Sequence, residues 1–243
     1  MSYLTFLIFL VLIPAFVLLL VFQIRAKKSG DRGQGQWHWK GTVLLASIAF
    51  VWTTPWDNYI VAKEVWSYGA DRVLAVIGYV PLEEYLFFVL MPLFNSTLIA
   101  CLFSGSLTGE STWRERQALS RVIAIGMGAL LMCVAGLLQV KESFTYLSLI
   151  LFWFVPPLVL QWVFDPQSLT RKLGVLLPAT LLPTLYFSIV DAFAIREGIW
   201  TIHDATRSGW ELGSLPFEEA FFFFIVSLLL AQGLILWHSL PRR

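Results

Sequence analysis

Two acidic motifs set inside apolar sequence constrain this chain more than any other feature. Pro81-Leu82-Glu83-Glu84 heads one long hydrophobic run, and Pro216-Phe217-Glu218-Glu219 heads another. An aspartate and a tryptophan precede each motif at matching distances. Asp57 and Trp66 are nine positions apart, as are Asp191 and Trp200. Trp66 precedes Pro81 by fifteen positions, and Trp200 precedes Pro216 by sixteen. The chain therefore repeats itself with an offset of 134 to 135 residues.

The surrounding sequence is that of an integral membrane protein. Of 243 residues, 58% are hydrophobic and 14% charged, with a mean hydropathy of +0.73. A soluble domain carries about 25% charged residues. A net charge of +1 provides no basic face for nucleic acid. Cys101 and Cys133 lie in apolar runs without metal-ligand spacing and are expected to be buried, inert thiols. The first apolar run, 3–24, lacks a basic N-terminal region, is too long for a signal-peptide core and is followed by no small-residue cleavage site, so it reads as a retained transmembrane helix rather than a signal peptide.

A membrane-spanning helix needs about 20 mostly apolar residues. Seven runs qualify: 3–24, 41–60, 81–103, 120–140, 144–164, 173–195 and 215–238. Segment 72–80 is apolar but too short to span; it either lies at the interface or extends the third helix so that Pro81 kinks it. With seven spans, one side of the membrane holds twelve Lys and Arg residues and the other five. The excess marks the cytoplasm, with the N-terminus outside and the C-terminus inside, in the cell membrane. The offset maps the first, second and third helices onto the fifth, sixth and seventh. The predicted fold is all-α: two parallel three-helix repeats, 1–103 and 144–243, joined by a linking helix within 104–143. Asp57, Asp191 and both Glu-Glu pairs then converge near the non-cytoplasmic face.

Proline followed by two acids would start any helix well. Proline needs no N–H in the first turn, and the helix dipole favours acids there. A plain helix start would not require the upstream aspartate and tryptophan, however, and these recur with it. Adjacent helical residues point about 100° apart, so one glutamate of each pair is expected to face a cavity and the other a neighbouring helix or backbone. Burial disfavours the ionised acid, whereas the helix N-terminus favours it, and that opposition suits acid–base work. The candidate catalytic residues are Glu83, Glu84, Glu218, Glu219, Asp57 and Asp191. Trp56, Trp66, Tyr85, Trp200 and Phe217 are the candidate substrate-binding residues: they form either an interfacial aromatic belt or a set of π faces around a cation in a dry cavity. No zinc motif and no G-x-G-x-x-G fingerprint is present, so neither a metal nor a cofactor is expected. The last helix has no lysine to hold retinal. A proton-coupled transporter or a pigment-binding membrane protein would also fit paired acids in parallel repeats.

Taken together, these residues resemble a family. Thr54-Pro55-Trp56-Asp57-Asn58-Tyr59, Trp66 and Pro81 to Phe88 are similar to the first half of the membrane-type lycopene cyclases. Asp191-Ala192-Phe193-Ala194, Gly198-Ile199-Trp200 and Leu215 to Glu219 are similar to the second half. In that family the halves occur as two small proteins or fused, and this chain resembles the fused, single-function form. The resemblance implies a flavin-independent lycopene β-cyclase acting on lycopene and other carotenes within the bilayer. It closes ψ-ends to β-rings without redox change, and Glu83, Glu84, Glu218 and Glu219 are the family's PxEE acids. A carotenoid end-group hydratase, or a cyclase acting on another carotene, is the nearest alternative. Ala220 stands where the first motif has Tyr85, so unequal roles for the halves are expected. Membrane lipid is the implied surrounding; a homo-oligomer or contact with other carotenoid enzymes stays open.

Overall fold

A computed structural model describes residues 1–28, 39–107 and 117–240. Arg32, Arg114, Arg116, Arg242 and Arg243, which enter the count of Lys and Arg, lie outside the described residues. The first helix runs as α1 (Tyr3–Leu7), a π-helical turn (Ile8–Leu12) and α2 (Ile13–Lys28). Then follow α3 (Trp39–Ala62), α4 (Leu82–Leu107), α5 (Ala118–Leu138), α6 (Thr145–Phe164), the short α7 (Pro166–Arg171), α8 (Leu173–Arg196) and α9 (Phe217–Ser239). Six helices among the described residues are long and apolar enough to cross a membrane. They are Tyr3–Lys27, Leu82–Phe103, Ala118–Leu138, Glu142–Phe164, Leu173–Arg196 and Phe217–Ser239. The 24-residue α3 is as long but carries Thr53, Thr54, Asp57 and Asn58 in its second half. Phe9, Phe16, Val51, Leu130, Leu185 and Ile189 are among the large apolar side chains left exposed on these helices. Such an outer surface suits lipid, and a multi-pass membrane protein is the consistent reading.

The core joins the two halves of the sequence. Trp56, Phe87, Phe94, Phe154, Phe187, Phe222 and Phe223 pack in one buried cluster drawn from α3, α4, α6, α8 and α9. The helix α5 packs chiefly on α6, where Gly128 lets Val159 approach. Ser148 there donates its hydroxyl to the Ala135 carbonyl at 2.8 Å. The opposite face of α5 is uncovered. Cys133 is therefore exposed and Cys101 half-buried, which corrects the expectation of two buried thiols. The π-helical turn lies beside α8, and the Leu10 carbonyl accepts the Tyr186 hydroxyl at 2.5 Å.

Of the two readings of 72–80, the structure excludes the helical extension. This segment does not extend α4. Strand β2 (Val76–Ile77) pairs antiparallel with β3 (Val80–Pro81), and α4 starts only at Leu82. Gly78, at φ +69°, opens the two-residue turn, where a left-handed residue matches the twist of the flanking strands. The second half contains the same device: β5 (Glu211–Leu212) pairs with β6 (Leu215–Pro216) through Gly213, also at φ +69°. Strand β1 (Trp66–Tyr68) pairs with β4 (Trp200–Ile202), with Trp66 opposite Ile202 and Tyr68 opposite Trp200. This ladder joins the loop after α3 to the loop after α8.

Helices α3 and α8 end alike. The Val65 N–H bonds the Ile60 carbonyl and the Glu64 N–H bonds that of Val61. Ile199 to Ala194 and Gly198 to Ile195 repeat the pattern. Each end is a Schellman cap, which needs a left-handed residue. Gly198 (φ +65°) supplies it in one case and Glu64 (φ +56°) in the other.

Candidate active site

Each Pro-x-Glu-Glu motif links a hairpin to a helix. Pro81 and Pro216 close strands β3 and β6, and the glutamates fall in the first turns of α4 and α9. The first glutamate of each pair holds a loop. Glu83 Oε1 accepts the Leu74 backbone N–H at 2.8 Å, and Glu218 Oε1 accepts that of Ser208 at 2.6 Å. The second glutamate, turned about 100° around the helix, reaches a shared cavity.

That cavity is partly open, and its ≈ 430 Å³ of empty space includes space continuous with its surroundings. Glu84 and Phe87 of α4 line it, with Glu219, Phe222 and Phe223 of α9. Tyr3 and Phe6 of α1 contribute, as do Phe187, Val190 and Asp191 of α8. Trp66 and Tyr68 of β1 and Trp200 of β4 complete the wall. No Lys, Arg or His is among the lining residues. Asp57, 1% exposed, lies near enough to Glu84 and Glu219 for the three charges to interact. Four buried carboxyls, those of Asp57, Glu84, Asp191 and Glu219, are thus collected from α3, α4, α8 and α9.

Their hydrogen bonding is unequal. Glu84 Oε2 receives the Tyr3 hydroxyl at 2.5 Å and the Tyr68 hydroxyl at 3.3 Å. Burial, and then the charge of Glu84, push the Tyr68 phenol well above its ordinary pKa, so it remains a donor. Glu219 Oε1 is buried without a hydrogen bond of good geometry among the described residues, and the Tyr146 hydroxyl lies beside that carboxyl, near enough to donate to it after a small adjustment. The Trp200 indole N–H donates to Asp191 Oδ1 at 2.9 Å. The matching Trp66 N–H has no acceptor, and Asp57 Oδ2 and Asp191 Oδ2 have no donor.

Of the residues singled out from sequence, Glu84, Glu219, Asp191, Trp66 and Trp200 line the cavity. Asp57 is buried beside it, and Glu83 and Glu218 hold the loops. Trp56 packs behind the wall, stacked on Phe222 with ring centres 5.4 Å apart. Tyr85 faces away; its hydroxyl donates to the Ile77 carbonyl at 2.9 Å and accepts from Asn58 at 3.1 Å. Phe217 stacks on Phe221 and meets Trp210 edge-on, outside the cavity. Tyr3 and Tyr146 were not singled out, and Tyr68 stands out in the sequence only as one of several aromatics around the first motif. Strand alternation could have found Tyr68, since it shares a face with Trp66 two positions earlier. The echo of Ser2-Tyr3-Leu4-Thr5 in Thr145-Tyr146-Leu147-Ser148 could have found Tyr3 and Tyr146; Tyr3 meets Glu84 across 81 residues.

Comparison with known proteins gives a consistent result. The family model described as lycopene cyclase matches residues 1–102 and 143–235. A protein named lycopene beta-cyclase from Halobacterium salinarum is 36% identical over 236 residues, covering 97% of this chain and 95% of that protein. A bifunctional lycopene cyclase/phytoene synthase of Arthroderma gypseum is 34% identical over 221 residues, 81% of this chain and 36% of the fungal protein. One from Phycomyces blakesleeanus is 34% identical over 194 residues, 77% of this chain and 32% of that protein. No solved structure matches the chain. This chain belongs to the lycopene cyclase family.

Proposed function

We propose that this chain is an integral-membrane lycopene β-cyclase that converts the ψ-ends of lycopene to β-rings, giving γ-carotene and then β-carotene. One observation carries the reading: Glu84 and Glu219, from two different helices, open into one aromatic cavity with no Lys, Arg or His among its described lining residues. The reaction delivers a proton to C2 of the end group, closes the ring through a tertiary cation, and removes a proton from C6. No net redox change occurs. Unpaired buried ions are costly, so the carboxyl cluster holds protons rather than four negative charges. A proton source and a proton sink are thereby placed against one substrate. The rings of Trp66, Trp200, Phe87, Phe187 and Phe222 exclude water that would capture the cation, and their π faces stabilise it. Glu83 and Glu218 position the loops, while Asp57 and Asp191 tune the cluster or relay protons within it.

The finer architecture belongs to the same reading. The chain crosses the cell membrane seven times, α3 being the seventh span, with the N-terminus outside and the C-terminus in the cytoplasm. Residues 1–103 and 144–243 form parallel repeats around a linking helix in 104–143. Recurrence of the hairpin, of the helix caps and of the glutamate-to-loop bond at offsets of 134 to 135 supports the repeats. The two separate segments matched by the family model also support them.

The test is expression in a bacterium that accumulates lycopene, followed by chromatography of the pigments with absorption and mass detection. The expected result is a product of unchanged mass with a blue-shifted spectrum, matching γ- or β-carotene. Unchanged lycopene, with the protein shown to be in the membrane, would overturn the reading. A product heavier by one water would replace it with a hydratase.

A further inference from the structure

The two cavity-facing glutamates permit a controlled comparison. Both follow a proline and a first glutamate, and both sit in the first turn of a long helix. The helix dipole therefore acts on both alike. What differs is the supply of donors. Glu84 Oε2 receives two phenol hydroxyls, Tyr3 at 2.5 Å and Tyr68 at 3.3 Å. Glu219 has a single phenol beside it, that of Tyr146, and its buried Oε1 has no hydrogen bond of good geometry. The difference is written in the sequence. At the offset of 134 that relates Trp66 to Trp200, Tyr68 corresponds to Ile202, which has no hydroxyl.

An oxygen that collects two O–H donors is arranged for negative charge, since charged acceptors form the stronger hydrogen bonds. A carboxyl oxygen left without donors is arranged for the neutral acid. From this asymmetry we infer that Glu219 donates the proton and Glu84 accepts it, with Tyr3 and Tyr68 as the positioning residues that divide the roles. The inference rests on the cyclase reading. In the reaction, the Glu219 proton bonds to C2 and the C1=C2 electron pair forms that bond. The cation at C1 is closed by the C5=C6 pair, and the positive charge moves to C5. Glu84 then takes the proton on C6, and the C6–H pair becomes the ring double bond. Glu84 ends protonated and Glu219 ionised. Asp57, which lies in electrostatic reach of both, is placed to return the proton.

Ring type reads this division directly, because the cation at C5 loses a different proton when its base is missing. The test compares wild type with Glu219→Gln, Glu84→Gln, Tyr68→Phe and Tyr3→Phe in lycopene-accumulating cells, each normalised to membrane protein. Glu219→Gln is expected to lower all cyclic product by at least about 100-fold. Glu84→Gln is expected to shift product from β-rings to rings with the double bond toward C4 or the C5 methyl, or to a hydrated end group. Tyr68→Phe and Tyr3→Phe, which keep the packing, are expected to show the same shift in part; a purely structural role would lower yield without changing ring type. Altered rings from Glu219→Gln with a silent Glu84→Gln would reverse the assignment and overturn it. Unchanged β-ring proportion in both tyrosine variants would also overturn it, including when Glu84→Gln makes no product. A wild-type chain that leaves lycopene unconverted would instead defeat the cyclase reading itself.

Discussion

Glu83 accepts the backbone N–H of Leu74 at 2.8 Å, while its neighbour Glu84 turns to the cavity. On the proposed reading the pair separates positioning from proton chemistry, and substitution distinguishes the two. Glutamine keeps a carbonyl oxygen that can accept from Leu74. Glu83→Gln and Glu218→Gln are expected to retain activity within about tenfold, whereas Glu83→Ala strands a buried N–H and costs about 1–3 kcal/mol. Pigment conversion with thermal unfolding in detergent checks both.

The tryptophans of the two halves are expected to respond unequally. Trp200 bonds Asp191 at 2.9 Å, and the Trp66 indole N–H has no acceptor. Trp200→Phe leaves a buried carboxyl oxygen without its donor and is expected to destabilise by about 1–3 kcal/mol. Trp66→Phe removes no hydrogen bond, so it is expected to cost less. Melting temperatures of the two variants, measured in one detergent, give the order.

Glu64 sits at φ +56° where the other half has Gly198. A side chain in the left-handed region costs about 1–2 kcal/mol, so Glu64→Gly is expected to raise stability by up to about 1 kcal/mol once the freer unfolded chain is counted. Gly198→Ala is expected to lower it. Thermal unfolding reports both signs.

The hairpin glycines share φ +69° but not their surroundings. A Cβ on Gly78 would stand 2.4 Å from Asn58 Oδ1, the acceptor of the Tyr79 N–H, whereas one on Gly213 would meet nothing within 4 Å. Gly78→Ala is therefore expected to lower both stability and activity more than Gly213→Ala. Conversion assays on the two variants, matched for membrane level, decide it.

Tyr68 provides a pH prediction. Its phenol titrates above the ordinary value of about 10 when folded, because burial and then Glu84 disfavour the anion. The folded protein holds this proton after the unfolded chain has lost it. Its contribution to stability is thus fully present below about pH 10 and declines as pH rises from there through the folded value. Unfolding followed from pH 8 to 11 is expected to show a shallower alkaline decline in Tyr68→Phe than in wild type.

Much of the site could be read before the fold was known, because its acids stand in local motifs. The Pro-x-Glu-Glu pairs, Asp57 and Asp191 announce themselves as charges in apolar sequence, and their repetition placed them together. Which glutamate faces the cavity was not legible, since Glu83 and Glu218 are held by the backbone N–H groups of Leu74 and Ser208, which any residue has. The meeting of Tyr3 with Glu84 was hidden because it is made by packing across 81 residues. The hairpins were obscured by Val76, Ile77 and Val80, whose apolarity reads as helix extension unless Gly78 is weighed as a turn. Tyr85 and Phe217 lay next to the motifs in sequence, yet the helix turn carries both away from the cavity.

The β1–β4 ladder has a consequence for how the protein can be divided. Its two strands come from the loops after α3 and α8, and the acids beneath come from α4 and α9. Neither half of the chain holds a complete site. Severed between α4 and α5, the pieces would carry matching edges: one strand each, one cavity glutamate each, and complementary faces of a single aromatic core. Such fragments have what they need to find one another, and activity regained on co-expressing them would be a property of the assembled pair.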